Sequence, residues 1–173
     1  PSQITALIEG RKILTIVSSH FEDEQFAIHS VKKIPKEMRP ILLIIPRHIE
    51  RTETIRDQCT KADLKCTILS ELSEVSSISD VYVSNQIGAP ALWLPLTNFA
   101  LIGGTYCNVN GHNPWEPIQF GAAILHGSKT ANFAEDFKEL LASESSTEIL
   151  ETDEMAKLIT QTNFDQQSKN ASS

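Results

Sequence analysis

Short apolar runs alternate with stretches of helical period along the 173-residue chain. The runs "KILTIVS" (12–18) and "PILLIIP" (40–46) are β-branched and continuous, the pattern of strands buried on both faces of a parallel sheet. Between them "FEDEQFAIHSVKKI" (21–34) has helical spacing, acids in its first turn and Lys32 and Lys33 in its last. The alternation continues. Helices are expected over 51–62, 89–98, 114–121, 130–143 and 153–164, and strands over 65–69, 80–84, 99–104, 122–127 and 147–150. The polar end, 165–173, is expected to be disordered. Regular alternation of strand and helix predicts an α/β domain, an open parallel sheet with helices on both faces. In such sheets ligands bind beyond the carboxyl ends of the strands, so the residues that follow each strand matter most.

Those positions are polar. Ser18, Ser19 and His20 follow the first strand, Pro46, Arg47 and His48 the second. Gly103, Gly104 and Thr105 follow the run at 99–102 and lead to "GHNPWEP" (111–117), and His126 to Lys129 follow the next strand. Four of the five histidines thus fall on one predicted edge. Ser19 and Glu22 have the spacing of a capping box. Asn113, Pro114 and Glu116 read as N-cap, N1 and N3 of a helix start, which needs no ligand to explain it. Gly103, Gly104 and Gly111 admit a second reading, in which the backbone is opened to an anion at a helix N-terminus. Arg47 is either a solvated residue after a strand or a forked oxyanion clamp. Trp93 and Trp115 read as core or cleft wall.

Composition narrows the ligand. The net charge is −7, with +2 over residues 1–70 and −9 over 71–173. Such a field repels nucleic acid and anionic lipid at long range, so neither is an expected partner. Any phosphate must meet local dipoles or a placed cation. The histidines lack metal-ligand spacing, and no metal or other cofactor is expected. Cys59, Cys66 and Cys107 are odd in number and lack CxxC spacing, which suits free thiols. No apolar run approaches the ~20 residues of a membrane span. The chain opens with Pro1 and Ser2, as a segment of a longer protein does.

Four motifs, in order, carry a resemblance. "VSSHFEDE" is similar to a Ser-Thr-His-x-Gly-Glu-Glu segment, and "LLIIPRHIER" to a Pro-Arg-His-Pro-Glu-Arg segment. "GGTYCNVNGHNPWEP" resembles Gly-Gly-Ser, a short loop and Gly-Gly-His-Asn-Pro-Leu-Glu-Pro. Thr130, Asn132 and Phe133 match the end of Gly-Pro-His-Thr-x-Asn-Phe. Together they resemble the C-terminal half of the 3-deoxy-D-manno-octulosonic acid (Kdo) transferases of lipopolysaccharide synthesis. The resemblance implies the donor-binding, Rossmann-like domain of a GT-B glycosyltransferase, spanning 1–164. The full enzyme would transfer Kdo from CMP-Kdo to a lipid A precursor without a metal, at the cytoplasmic face of the inner membrane. The catalytic base, the acceptor site and the membrane anchor would belong to an N-terminal domain absent from this chain, so the chain alone would be inactive. CMP contacts carried over by position are Pro46 and Arg47; Ile87, Gly88 and Ala89; and Asn113, Pro114, Trp115 and Glu116. The helix start at Asn113 and Arg47 would steady the leaving phosphate, and Glu116 would accept from ribose hydroxyls.

The chain departs from the family where Ala89 replaces a glutamate, Asn110 a glycine, Ser128 and Lys129 a Pro-His pair, and Ile49 a proline. Two rival readings therefore stand beside the first. One is a GT-B transferase of another sugar nucleotide. The other is a non-catalytic nucleotide-binding or partner-binding module.

Overall fold

The computed structural model describes residues 10–70 and 79–162; the expected tail at 165–173 lies outside them. Seven strands form one wholly parallel sheet in the order β3-β4-β2-β1-β5-β6-β7. They are β1 (Ile13–Ser19), β2 (Ile41–Pro46), β3 (Cys66–Leu69), β4 (Val81–Ser84), β5 (Phe99–Ile102), β6 (Ala123–His126) and β7 (Ser146–Glu148). The α-helices are α1 (Phe21–Lys32), α2 (Thr52–Lys61), α3 (Ala89–Trp93), α4 (Trp115–Gln119), α5 (Ala134–Ala142) and α6 (Thr152–Gln161). This is the doubly wound α/β domain predicted from the sequence.

Alternation along the strands sends side chains to two cores. Leu14, Ile16, Leu42, Ile44, Phe99 and Leu101 meet Ala27, Ile28 and Val31 of α1, Ile55 of α2 and Met155 of α6. On the opposite face Ile13, Leu43, Ile45 and Tyr82 meet Ala89 and Trp93, while Val17, Ala100 and Ile124 meet Leu94 and Phe137. Each fully buried Leu, Ile or Phe contributes about 1.5–3 kcal/mol. The chain order turns back at β1, which has β2 on one side and β5 on the other. The crevice beyond those strand ends is where a doubly wound sheet accepts ligands.

Several boundaries differ from the pattern, among them these three. The helix expected over 89–98 is α-helical only to Trp93 and tightens to a 3-10 turn over Leu94–Leu96, because Pro95 has no N–H to give. The last strand runs Ser146–Glu148 rather than 147–150. Ser19 remains in β1, so α1 is capped one residue later: Asp23 Oδ2, not Glu22, accepts the His20 N–H at 2.9 Å.

Candidate functional site

A cleft of ≈ 370 Å³ opens at the carboxyl ends of β1, β2 and β4. Pro46 and Arg47 leave β2 into it, Ile87 and Gly88 form its side after β4, and Glu116 of α4 faces them. Five residues expected from three distant stretches therefore share one cleft. Arg47 is exposed, and its guanidinium makes no hydrogen bond or ion pair among the described residues. Glu116 is also exposed and unpaired among the described residues, so it does not close the expected capping box. Ser18, Ile45, Ile49, Gln86, Pro90 and Ala91 complete the lining. A larger hollow of ≈ 530 Å³ lies between α1 and α2, along the helical layer rather than at the strand ends.

The other expected contacts are arranged differently. The Ala89 methyl is fully buried against Trp93, between Gly88 and Pro90, which do line the cleft. Asn113 Oδ1 accepts the Trp115 N–H at 2.9 Å and so starts α4. Pro114 is buried, and the Trp115 indole donates to Asp136 Oδ1 at 2.7 Å, turning toward α5. α4 has five residues, and its first N–H is already taken, so its dipole is small. The placed cation at the cleft is Arg47.

The described contacts of these glycines are with the chain itself. A Cβ on Gly103 would lie 2.1 Å from the Ser18 carbonyl oxygen. Gly104 and Gly111 have φ of +75° and +92°, and Gly111 N–H donates to Gly104 O at 2.9 Å. The anion that this loop binds is internal. Asp23, fully buried, accepts from Gly104 N–H at 2.7 Å, Tyr106 N–H at 3.2 Å and His20 N–H at 2.9 Å. Burial pushes the Asp23 carboxyl above the ordinary carboxylate range, against those three bonds.

Beside it Glu24 is also fully buried. Its oxygens accept from Arg51 at 2.6 Å, Gln58 at 2.9 Å and Ser19 at 2.9 Å. This network pins the segment that carries Arg47 to the start of α1.

Of the four edge histidines, three converge. His20 and His112 touch through their Nε2 atoms at 2.8 Å, and His48 packs edge-on to His20 with ring centroids 6.1 Å apart. His126 does not join them; it is buried against Phe137. Its Nδ1 faces the Gly127 carbonyl at 2.8 Å, so it carries the proton, and Nε2 faces the Ser146 hydroxyl at 3.3 Å. Burial holds His126 below the ordinary 6.5, against the Gly127 bond and Glu148. Between the depressed native value and 6.5 the unfolded chain binds more protons, so stability falls as pH drops below about 6.5 and levels off below the native value. Urea midpoints from pH 7.5 to 5 are expected to show this loss, and His126→Gln is expected to reduce it, leaving the part that comes from His20 and His112, which burial also holds low. An unchanged slope in the variant would assign the loss elsewhere. Among the described residues no cluster of three His, Cys, Asp or Glu side chains is arranged to hold a metal. No helix among them is long and apolar enough to cross a membrane.

No protein-family model matches the chain. It is similar to the 3-deoxy-D-manno-octulosonic acid transferase of Rickettsia bellii, 26% identical over 153 residues, covering 88% of this chain and 36% of that protein. The Rickettsia felis transferase is 24% identical over 160 residues, covering 92% of this chain and 34% of that protein. The chain thus spans about a third of the length of these curated relatives. Among solved structures, the C-terminal CMP-Kdo binding domain of WaaA from Acinetobacter baumannii superposes with a TM-score of 0.82 at 21% identity, covering 99% of this chain and 95% of that one. The resemblance drawn from the four motifs is borne out by the relatives, and the fold by the structure.

Proposed function

We propose that this chain is the donor-nucleotide domain of a Kdo transferase. The observation that carries the reading is the convergence of Pro46, Arg47, Ile87, Gly88 and Glu116 on one strand-end cleft. A guanidinium and a carboxylate that line one cleft, both unpaired among the described residues, match a nucleoside monophosphate, whose phosphate is anionic and whose ribose donates hydroxyl hydrogens. CMP-Kdo is the donor in this reading, and a lipid A precursor, held by the rest of the protein, is the acceptor. The domain works at the cytoplasmic face of the inner membrane. Transfer inverts the Kdo anomeric carbon while Arg47 stabilises charge on the departing phosphate.

Titration with CMP, UMP and AMP by calorimetry tests this. CMP is expected to bind best, and Arg47→Ala to weaken it roughly 10- to 100-fold, the value of a hydrogen bond to a charged group at about 1.5–3 kcal/mol. Equal affinity for the three nucleotides would remove the cytidine assignment, and an unaffected Arg47→Ala would remove the clamp.

Burial of Ala89, where the family has glutamate, favours one second reading. A cleft short of that carboxylate suits a module that binds nucleotide without turnover. The full-length protein would then yield no product from CMP-Kdo and a lipid A precursor.

A further inference from the structure

Three loops from separate parts of the chain bring imidazoles to one place beside the cleft. His20 begins α1, His48 lies between cleft-lining Arg47 and Ile49, and His112 precedes α4. The rings of His20 and His112 meet head to head in nearly one plane, 5.1 Å between centroids and 9° between planes, with Nε2 facing Nε2 at 2.8 Å. His48 meets His20 at 75°. His20 is also the N-cap of α1, in a capping box with Asp23, but that cap does not call for His112 or His48 to meet it, and the three are not a metal cluster.

Two imidazole nitrogens this close hold a proton between them, one donating and one accepting. The pair accepts one further proton as a hydrogen-bonded imidazolium and imidazole. A second would set N–H against N–H and part the rings. The pair therefore titrates as a unit, one proton at a time.

Its charged surroundings are unbalanced. Asp23 and Glu24 face it from α1, and Arg47, His48 and Arg51 from the segment between β2 and α2. Asp23 is committed to three backbone N–H groups, and Glu24 to Arg51, Gln58 and Ser19. Arg47 is unpaired among the described residues, and His48 is exposed. Burial, with His48 and Arg51 near His20 and with Arg47 and His48 near His112, holds both rings below 6.5 against Asp23 and Glu24, so at neutral pH the pair is uncharged, and an anion seated beside it favours its uptake of a proton.

We propose that His20, His112 and His48 form an anion site at the rim of the cleft that takes up an oxyanion, phosphate or carboxylate, together with one proton. The inference rests on the nucleotide reading of the cleft and adds to it a coupling: donor binding tightens on acidification. The oxyanion comes either from the nucleotide phosphate or from the acid group of the sugar.

Imidazole NMR on the whole chain tests this, with inorganic phosphate and acetate as probes, followed by CMP. Without anion, His20 and His112 are expected to titrate in step. Saturating probe is expected to raise their common midpoint by about half a pH unit or more. A response to phosphate alone assigns the phosphate source, and a response to acetate alone the carboxylate source. The CMP dissociation constant is expected to tighten by up to roughly tenfold per pH unit on acidification above the midpoint, the limit for one linked proton. His20→Asn and His112→Asn are expected to lose that dependence. His48→Asn, at an exposed position, supplies a variant whose folding is not at risk and is expected to blunt the midpoint shift. Imidazole midpoints unmoved by both probes overturn the proposal, even if CMP binds. Midpoints that move with inorganic phosphate while CMP fails to bind at any pH keep the anion site and remove the nucleotide reading.

Discussion

Arg51→Ala is expected to lower the free energy of unfolding by about 3–5 kcal/mol, the range for stripping a buried charge of its partner. Glu24 has no exposed surface, and Arg51 is its cationic partner at 2.6 Å. Without the guanidinium, Ser19 and Gln58 remain as neutral donors to a buried carboxylate. A quarter of the Arg51 side chain is exposed (25%), so water that enters its space pulls the loss toward the lower end. Glu24→Gln in the Arg51→Ala background is expected to recover part of the loss, because the stranded group is then uncharged. Equilibrium urea unfolding of the unaltered chain and the two variants measures both effects. A loss below about 1 kcal/mol for Arg51→Ala would mean that the pair behaves as a surface bridge.

Gly103→Ala is expected to cost more than about 4 kcal/mol, in the range reserved for severe lesions. The added carbon would sit 2.1 Å from Ser18 O and 2.6 Å from Val17 O, both backbone atoms. They cannot retreat freely, since Val17 is paired with Ile102 and its carbonyl also accepts the Gly103 N–H at 2.9 Å. Gly88→Ala is the matched control. There a Cβ meets nothing within 4 Å, and only the φ of +79° resists, at about 1–2 kcal/mol. Thermal or urea unfolding that ranks the two variants equally would show that the β1 and β5 loops separate easily.

Much of the fold was legible because strands buried on both faces are continuous apolar runs, and the helices between them keep their period. Edges were less legible where a single residue decides them, as Pro95 does in 89–98. The site was legible in part. Arg47 and Glu116 come from stretches that match motifs, Gly88 is carried over by position, and topology brings the three together. The commitments of Asp23 and Glu24 were missed because acids in a first turn read as complements to the helix dipole. A signal was present. Glu24, Ala27, Ile28 and Val31 follow the i, i+3, i+4, i+7 spacing, which places Glu24 on the stripe that enters the core. The glycine pair admits two readings because sequence shows that a backbone is bare but not what approaches it. In Gly103 it is the chain's own Ser18 carbonyl.

The two sides of the cleft are built to different stiffness. Beneath its rim, Gly103, Gly104, Gly111 and His112 are knit by backbone bonds to one another, to β1 and to Asp23. Across from them Ile87 stands 91% exposed beside Gly88, with empty space where a side chain would point. Amides on the first side are expected to open only with the sheet, and those on the second to exchange through local fluctuation, which hydrogen exchange measures. A ligand that seats here finds one half already in place and loses conformational entropy mainly by ordering the turn after β4. Affinity is then most readily raised by stiffening that turn, far from any group that touches phosphate.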